Sequence, residues 1–152
     1  MTNLSIEKKQ KTYITIATIA ALIGLGDSVY LTFSHYGSTP LVCNLIDGCS
    51  TVLASPWATI FGIPVSFFGI LYYSALVVLM VLFFRRRDVI THGLLLAISS
   101  VGMVMSFWFV YLQIWEIEAF CEFCILSFFS TLCVWLSVLF ITSNNDSKVP
   151  ND

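Results

Sequence analysis

The chain has 152 residues, 58% of them hydrophobic and only 11% charged, with a mean hydropathy of +0.90. That composition excludes a soluble domain with a polar shell and describes an integral membrane protein. The net charge of −2 says little; where the charges fall says more.

A bilayer span takes about 20 apolar residues, and four such segments use up most of the chain, leaving no room for a separate soluble domain. Residues 1–12 are a polar head carrying Lys8, Lys9 and Lys11. The first span runs over about 13–35. It is long and lacks a small-residue cleavage site, so a cleavable signal peptide is not expected. Its one acid, Asp27, lies about 20 Å along the helix. An ionisable residue at membrane depth is a functional candidate; the plainer reading is a polar patch with Ser28 and Tyr30.

Residues 36–63 form a loop without Lys or Arg that carries Cys43, Cys49 and the turn signal Asp47-Gly48. The turn lets Cys43 and Cys49 meet in a small ring that can swing. The run from Ser50 to Ala54 predicts a short helix at the membrane surface, ended by Pro56, with Trp57 and Phe61 at the interface. The second span covers about 64–84 and opens on Pro64, where a missing N–H is harmless. After the turn Arg85-Arg86-Arg87-Asp88, the third span covers about 89–114. Its Gly93, Ser99, Ser100, Gly102 and Ser106 permit close helix packing. Trp115 to Glu118 is an acidic turn, the fourth span covers about 120–142, and residues 143–152 form a polar, disordered tail.

Four spans put both termini on one side. All seven basic residues, Lys8, Lys9, Lys11, Arg85, Arg86, Arg87 and Lys148, fall on that side. The positive-inside rule makes it the cytoplasm, and the expected location is the inner (plasma) membrane. Cys43, Cys49, Cys121 and Cys124 then face the oxidising compartment, where disulfides persist.

Cys121-Glu122-Phe123-Cys124 opens the fourth span. Cysteines three apart at a helix start lie on one turn and can form a reversible disulfide. The unpaired N–H groups there favour the thiolate of the first. With a second pair in a mobile loop on the same face, the arrangement suggests a relay in which the loop pair carries electrons inward through mixed disulfides. Within a bilayer the natural two-electron acceptor is a lipid-soluble quinone, since nothing in the spacing suggests haem or iron–sulfur. His35 and His92 fall on opposite membrane sides, so no metal site is expected. A four-cysteine zinc site and a non-enzymatic, disulfide-stapled tetraspan scaffold are the alternatives. Cys133 is expected to be a small, inert core residue, and Glu116, Glu118 and Glu122 a solvated helix start.

Cys43, the run from Cys49 to Ser55, the run from Gly62 to Gly69 with Tyr72-Tyr73, and Cys121 to Cys124 together resemble the vitamin K epoxide reductase family in its bacterial branch. The match spans roughly Gly24 to Phe128. The cysteine order, spaced pair first and CxxC at the fourth span, is specific; the disulfide-bond protein B family has its CxxC in the first outer loop.

The resemblance implies a four-helix bundle around a quinone, with Cys121 and Cys124 as active-site pair and Cys43 and Cys49 as shuttle. Cys124 would face the quinone, ubiquinone or menaquinone. Ser55 would be the loop hydroxyl near the ring, and Trp57, Phe68, Tyr72 and Phe109 would line the pocket. Val65 stands where vertebrate relatives have an asparagine that hydrogen-bonds the quinone, and Phe128 where they have a tyrosine. Both departures argue against epoxide reduction and vitamin K specificity. Some bacterial members carry a fused thioredoxin-like domain; here the electron donor is expected to be a separate thioredoxin-fold protein. Asp27 or Ser55 is a candidate proton donor to the quinone.

Overall fold

The computed structural model describes residues 2–37 and 48–146; the side chains of residues 2–7 and 143–146 are outside that description. Cys43 and Asp47 also lie outside the described residues. Four long helices dominate: α1 (Thr2–Tyr36), α3 (Val65–Arg86), α4 (Val89–Trp115) and α5 (Glu122–Asp146). Each is long and apolar enough to cross a membrane. Large hydrophobic residues such as Ile19, Val78, Val101, Val104 and Phe107 stand exposed on the outside of the bundle, a surface that only lipid accommodates. The protein is a multi-pass membrane bundle.

Helix α1 begins well before the expected first span. Its Lys-, Glu- and Gln-containing head has no Pro or Gly to break it and consists of good helix formers, so the helix runs from Thr2. At the other end α5 continues to Asp146, so the first residues of the expected disordered tail are helical. The turn between α3 and α4 is shorter than any loop. Arg87 closes α3 in the left-handed conformation with φ 50°. Asp88 caps α4, accepting from the Thr91 N–H at 3.2 Å and from the Thr91 hydroxyl at 2.7 Å. The Thr91 hydroxyl is the main cause that lowers the Asp88 carboxyl below its usual value.

Between α1 and α3 lies a short helix, α2 (Cys49–Ala54), followed by a 3₁₀ turn (Pro56–Ala58). A two-residue hairpin then pairs Thr59–Ile60 (β1) with Ile63–Pro64 (β2). Phe61 and Gly62, with φ 53° and 79°, make its tight turn, in the conformation that two-residue hairpins demand.

The bundle packs α1 against α5 and α3, and α4 against α5 and α3. In one half the interior is solid: Ala17, Ala20 and Ala21 of α1 meet Tyr73, Leu76, Met80 and Phe83 of α3 and Val134, Val138 and Ile141 of α5. Lipid is as apolar as this core, so close contact rather than hydrophobicity drives the association. The three alanines and Gly24 provide it; a Cβ on Gly24 would collide with the Tyr73 ring. The Tyr73 hydroxyl donates to the Ser127 carbonyl at 2.9 Å and shares hydrogen bonds with Ser127 Oγ at 2.8 Å and Thr131 Oγ1 at 2.9 Å. Such bonds contribute about 0.6 kcal/mol each in a bilayer, so this cluster fixes the register of α3 on α5 more than it adds stability.

Two expectations about small residues fail. Cys133 is exposed on the outside of α5, because Ser130, Thr131, Val134, Ser137 and Val138 take the inward positions and leave 133 off their stripe. Gly93 faces open space. Ser99 is fully buried and Gly102 sits tightly beneath Tyr72, as close packing requires, while the Ser100 hydroxyl accepts from Trp135 Nε1 at 3.1 Å.

Candidate functional site

The two cysteines of the CxxC face different neighbours. Cys121, fully buried, packs with Cys49 and Val52 of α2. Cys124, one turn into α5, lines a cavity of about 400 Å³ enclosed by α1, α3, α4, α5 and the α2–β2 segment. Both are free thiols, while Cys49 is disulfide-bonded.

Gly48 is what allows the loop to come so close. A Cβ at this position would collide with the Phe120 carbonyl oxygen, so only glycine lets the start of α2 lie on the backbone just before the CxxC. Gly48→Ala is expected to lift Cys49 off Cys121, slowing oxidation of a protein dithiol about tenfold or more. Oxidation of a small dithiol, which can reach the CxxC without the loop, is expected to change far less; steady-state assays with the two donors check this.

Cys121 stands at the N-terminal end of α5. Its sulfur accepts from the Cys124 thiol and from the backbone N–H groups of Cys124 and Phe123, and its pKa falls to about 7, with the Cys124 hydrogen bond as the leading cause. Burial and the Glu122 carboxylate oppose this. A lowered pKa means that the thiolate exists above about pH 7 and is lost as the pH drops through that value. The expected result is a thiolate absorbance titration centred near 7, below the ordinary cysteine range near 8.5, in reduced protein and absent from Cys121→Ser.

The backbone N–H of Cys121 is held by Gln113 of α4, whose Oε1 accepts it at 2.9 Å. Gln113 is 2% exposed and also lines the cavity. Sequence reasoning passed over it, although a lone amide in the apolar run from Val110 to Ile114 was the available signal. It ties the start of α5 to α4 and sets where the CxxC sits.

Asp27, Ser55, Trp57, Phe68, Tyr72 and Phe109, the residues singled out from the sequence, all line the same cavity as Cys124. Val65 and Phe128 line it too, so the two departures from the vertebrate pattern are apolar patches of its wall. Ser55 Oγ donates to the Val52 carbonyl at 2.7 Å, which engages its proton in the turn after α2. Tyr30, grouped with Asp27 on the sequence, instead packs on Phe123 with ring centroids 5.2 Å apart. Among the described residues no group of three or more His, Cys, Asp or Glu side chains could hold a metal.

The dithiol thus lies between a disulfide-bonded cysteine on one side and a mainly apolar cavity on the other. Residues 15–139 match the vitamin K epoxide reductase family, whose members are membrane thiol oxidoreductases that use quinones as electron acceptors. The match covers most of the chain, and with it the fold, the cavity and the CxxC have one explanation: the protein belongs to the vitamin K epoxide reductase family.

Proposed function

We propose that the protein is a thiol:quinone oxidoreductase that reoxidises a separate thioredoxin-fold protein on the outer side of the membrane and so supports disulfide formation there. One observation carries this reading: Cys121 faces Cys49 while Cys124 faces the cavity. Electrons enter at the Cys43/Cys49 pair, pass to Cys121/Cys124 through a mixed disulfide, and leave from Cys124 to ubiquinone or menaquinone. The balance is simple. Joining two thiols releases two electrons and two protons, and the quinone takes up both to become a hydroquinone.

The cavity suits a quinone. Its volume lies in the range of small-molecule sites, and its walls are mainly apolar with a few convergent polar groups. Ser55, Trp57, Phe68, Tyr72 and Phe109 would surround the ring. Half-exposed Phe68 of α3 and exposed Val101 and Met105 of α4 lie on the cavity's margin, which gives an isoprenoid tail a way out to lipid between these helices. The chain's own residues do the rest. The Cys121 thiolate exchanges with the loop pair, and Gln113 holds the CxxC backbone. Lys8, Lys9 and Lys11 near the start of α1 and Arg85, Arg86 and Arg87 at the end of α3 lie at the opposite end of these helices from α2, which supports a cytoplasmic side there and an outer position for α2.

The test is quinone absorbance in detergent under anaerobic conditions with a dithiol donor. Reduction of ubiquinone or menaquinone by the wild type supports the proposal. No reduction of either, with all cysteines staying oxidised and inert, would instead support a disulfide-stapled scaffold.

A further inference from the structure

Among the described residues, three buried side-chain polar atoms find no hydrogen-bond partner: Asp27 Oδ1, Asp27 Oδ2 and Tyr72 Oη. Asp27 is 7% exposed. Both residues line the cavity that Cys124 lines. Buried polar groups are almost always paired, and one left alone costs stability. The three atoms share one cavity, and the hydroxyl nearest Tyr72, that of Thr131, is already shared with Tyr73.

Their chemistry is complementary. A tyrosine hydroxyl donates to a carbonyl oxygen and can also accept. A carboxyl group donates when protonated and accepts when ionised, so it can hold a carbonyl before a reaction and the hydroxyl formed from it afterwards. The packing also keeps Tyr72 in place. Gly102 of α4 lies directly under its hydroxyl, where a Cβ would collide with the oxygen, and the Tyr73 ring meets it edge-on at 5.0 Å. Ser55, the other hydroxyl candidate, has its proton engaged by Val52. Val65 and Phe128 offer no hydrogen bond.

We infer that Asp27 and Tyr72 hold the two carbonyl oxygens of the quinone, and that Asp27 carries a proton from the Cys124 thiol to the oxygen it holds. The inference rests on the quinone-reductase reading above. In the step, the Cys121–Cys124 bond forms and two electrons pass to the quinone. The Cys124 proton leaves for Asp27, which gives one to the adjacent oxygen and ends unchanged. The second proton, released earlier when Cys121 became a thiolate, returns from the outer aqueous side to the oxygen held by Tyr72. Asp27 is thus a catalytic residue and Tyr72 a binding residue.

The experiment has two parts, both with decylubiquinone. Binding is read by tryptophan fluorescence quenching in the Cys124→Ala background, where nothing turns over. There Tyr72→Phe and Asp27→Ala are each expected to weaken binding about three- to tenfold, the loss of one hydrogen bond, while Asp27→Asn stays within about threefold because an amide still bonds a carbonyl. Turnover is read in the four-cysteine protein. Asp27→Asn is expected to lower kcat about 100-fold, the scale of a lost proton carrier, with KM little changed. Tyr72→Phe is expected to raise KM with kcat nearly intact. Unfolding temperatures of the variants separate these effects from misfolding, and Asp27→Asn, being isosteric, keeps the turnover test valid if Asp27→Ala fails to fold. A wild type that reduces decylubiquinone, with binding and kcat unmoved in Asp27→Asn and Tyr72→Phe, overturns the inference and leaves the activity standing. A wild type that binds it with the stated Asp27 and Tyr72 dependence but does not reduce it keeps the two contacts and overturns both the proton transfer and the activity.

Discussion

Cys124→Ala is expected to reduce quinone no faster than the protein-free control, whatever the thiol donor. Cys124 is the sulfur of the pair that lines the cavity; without it, Cys121 can still exchange with the loop pair, but no thiol of the pair is left facing the cavity to pass electrons to the quinone. The loss should be complete rather than graded, because residues that act as one unit fail together. The variant should remain folded, since alanine at a half-buried position removes one sulfur from a bundle held mainly by the α1, α3 and α5 contacts. Anaerobic absorbance of the quinone, beside circular dichroism of the variant, checks both parts.

The second large effect separates donors. Cys49→Ala is expected to abolish oxidation of a thioredoxin-fold donor while a small dithiol still drives quinone reduction to within about threefold of wild type, because a small thiol can exchange with the CxxC disulfide directly. Cys49 touches Cys121 and takes no part in lining the cavity, so its removal cuts the entry of electrons and leaves their exit intact. Equal loss with both donors would mean that α2 serves only to close the structure.

The four spans were legible because lipid demands long apolar runs, and the CxxC was legible because its spacing is tied to the helical turn. Asp27 stood out as the single acid in its span. Which way each helix faces was not legible. In a bilayer both the outward and the inward faces of a helix are apolar, so the amphipathic period that orients helices in water is missing. The sequence therefore suggests a core position for Cys133, which points out, and a helix contact for Gly93, which faces open space. Polar residues carry the inward signal instead, and Gln113, Ser99 and Thr131 are all buried. The contact between Gly48 and Phe120 was illegible for another reason: the two are far apart in sequence and nothing local in either stretch marks the other. That contact is what lays the start of α2, and with it Cys49, beside Cys121.

The relay is tested most directly by removing its outer ends. In the double variant Cys43→Ala, Cys124→Ala, only Cys49 and Cys121 remain of the paired cysteines. Mild oxidation followed by non-reducing peptide mapping should find them joined in one intramolecular disulfide, in high yield and at low protein concentration. Recovery of both as free thiols, or as bonds between molecules, would contradict electron transfer from the loop pair to the CxxC.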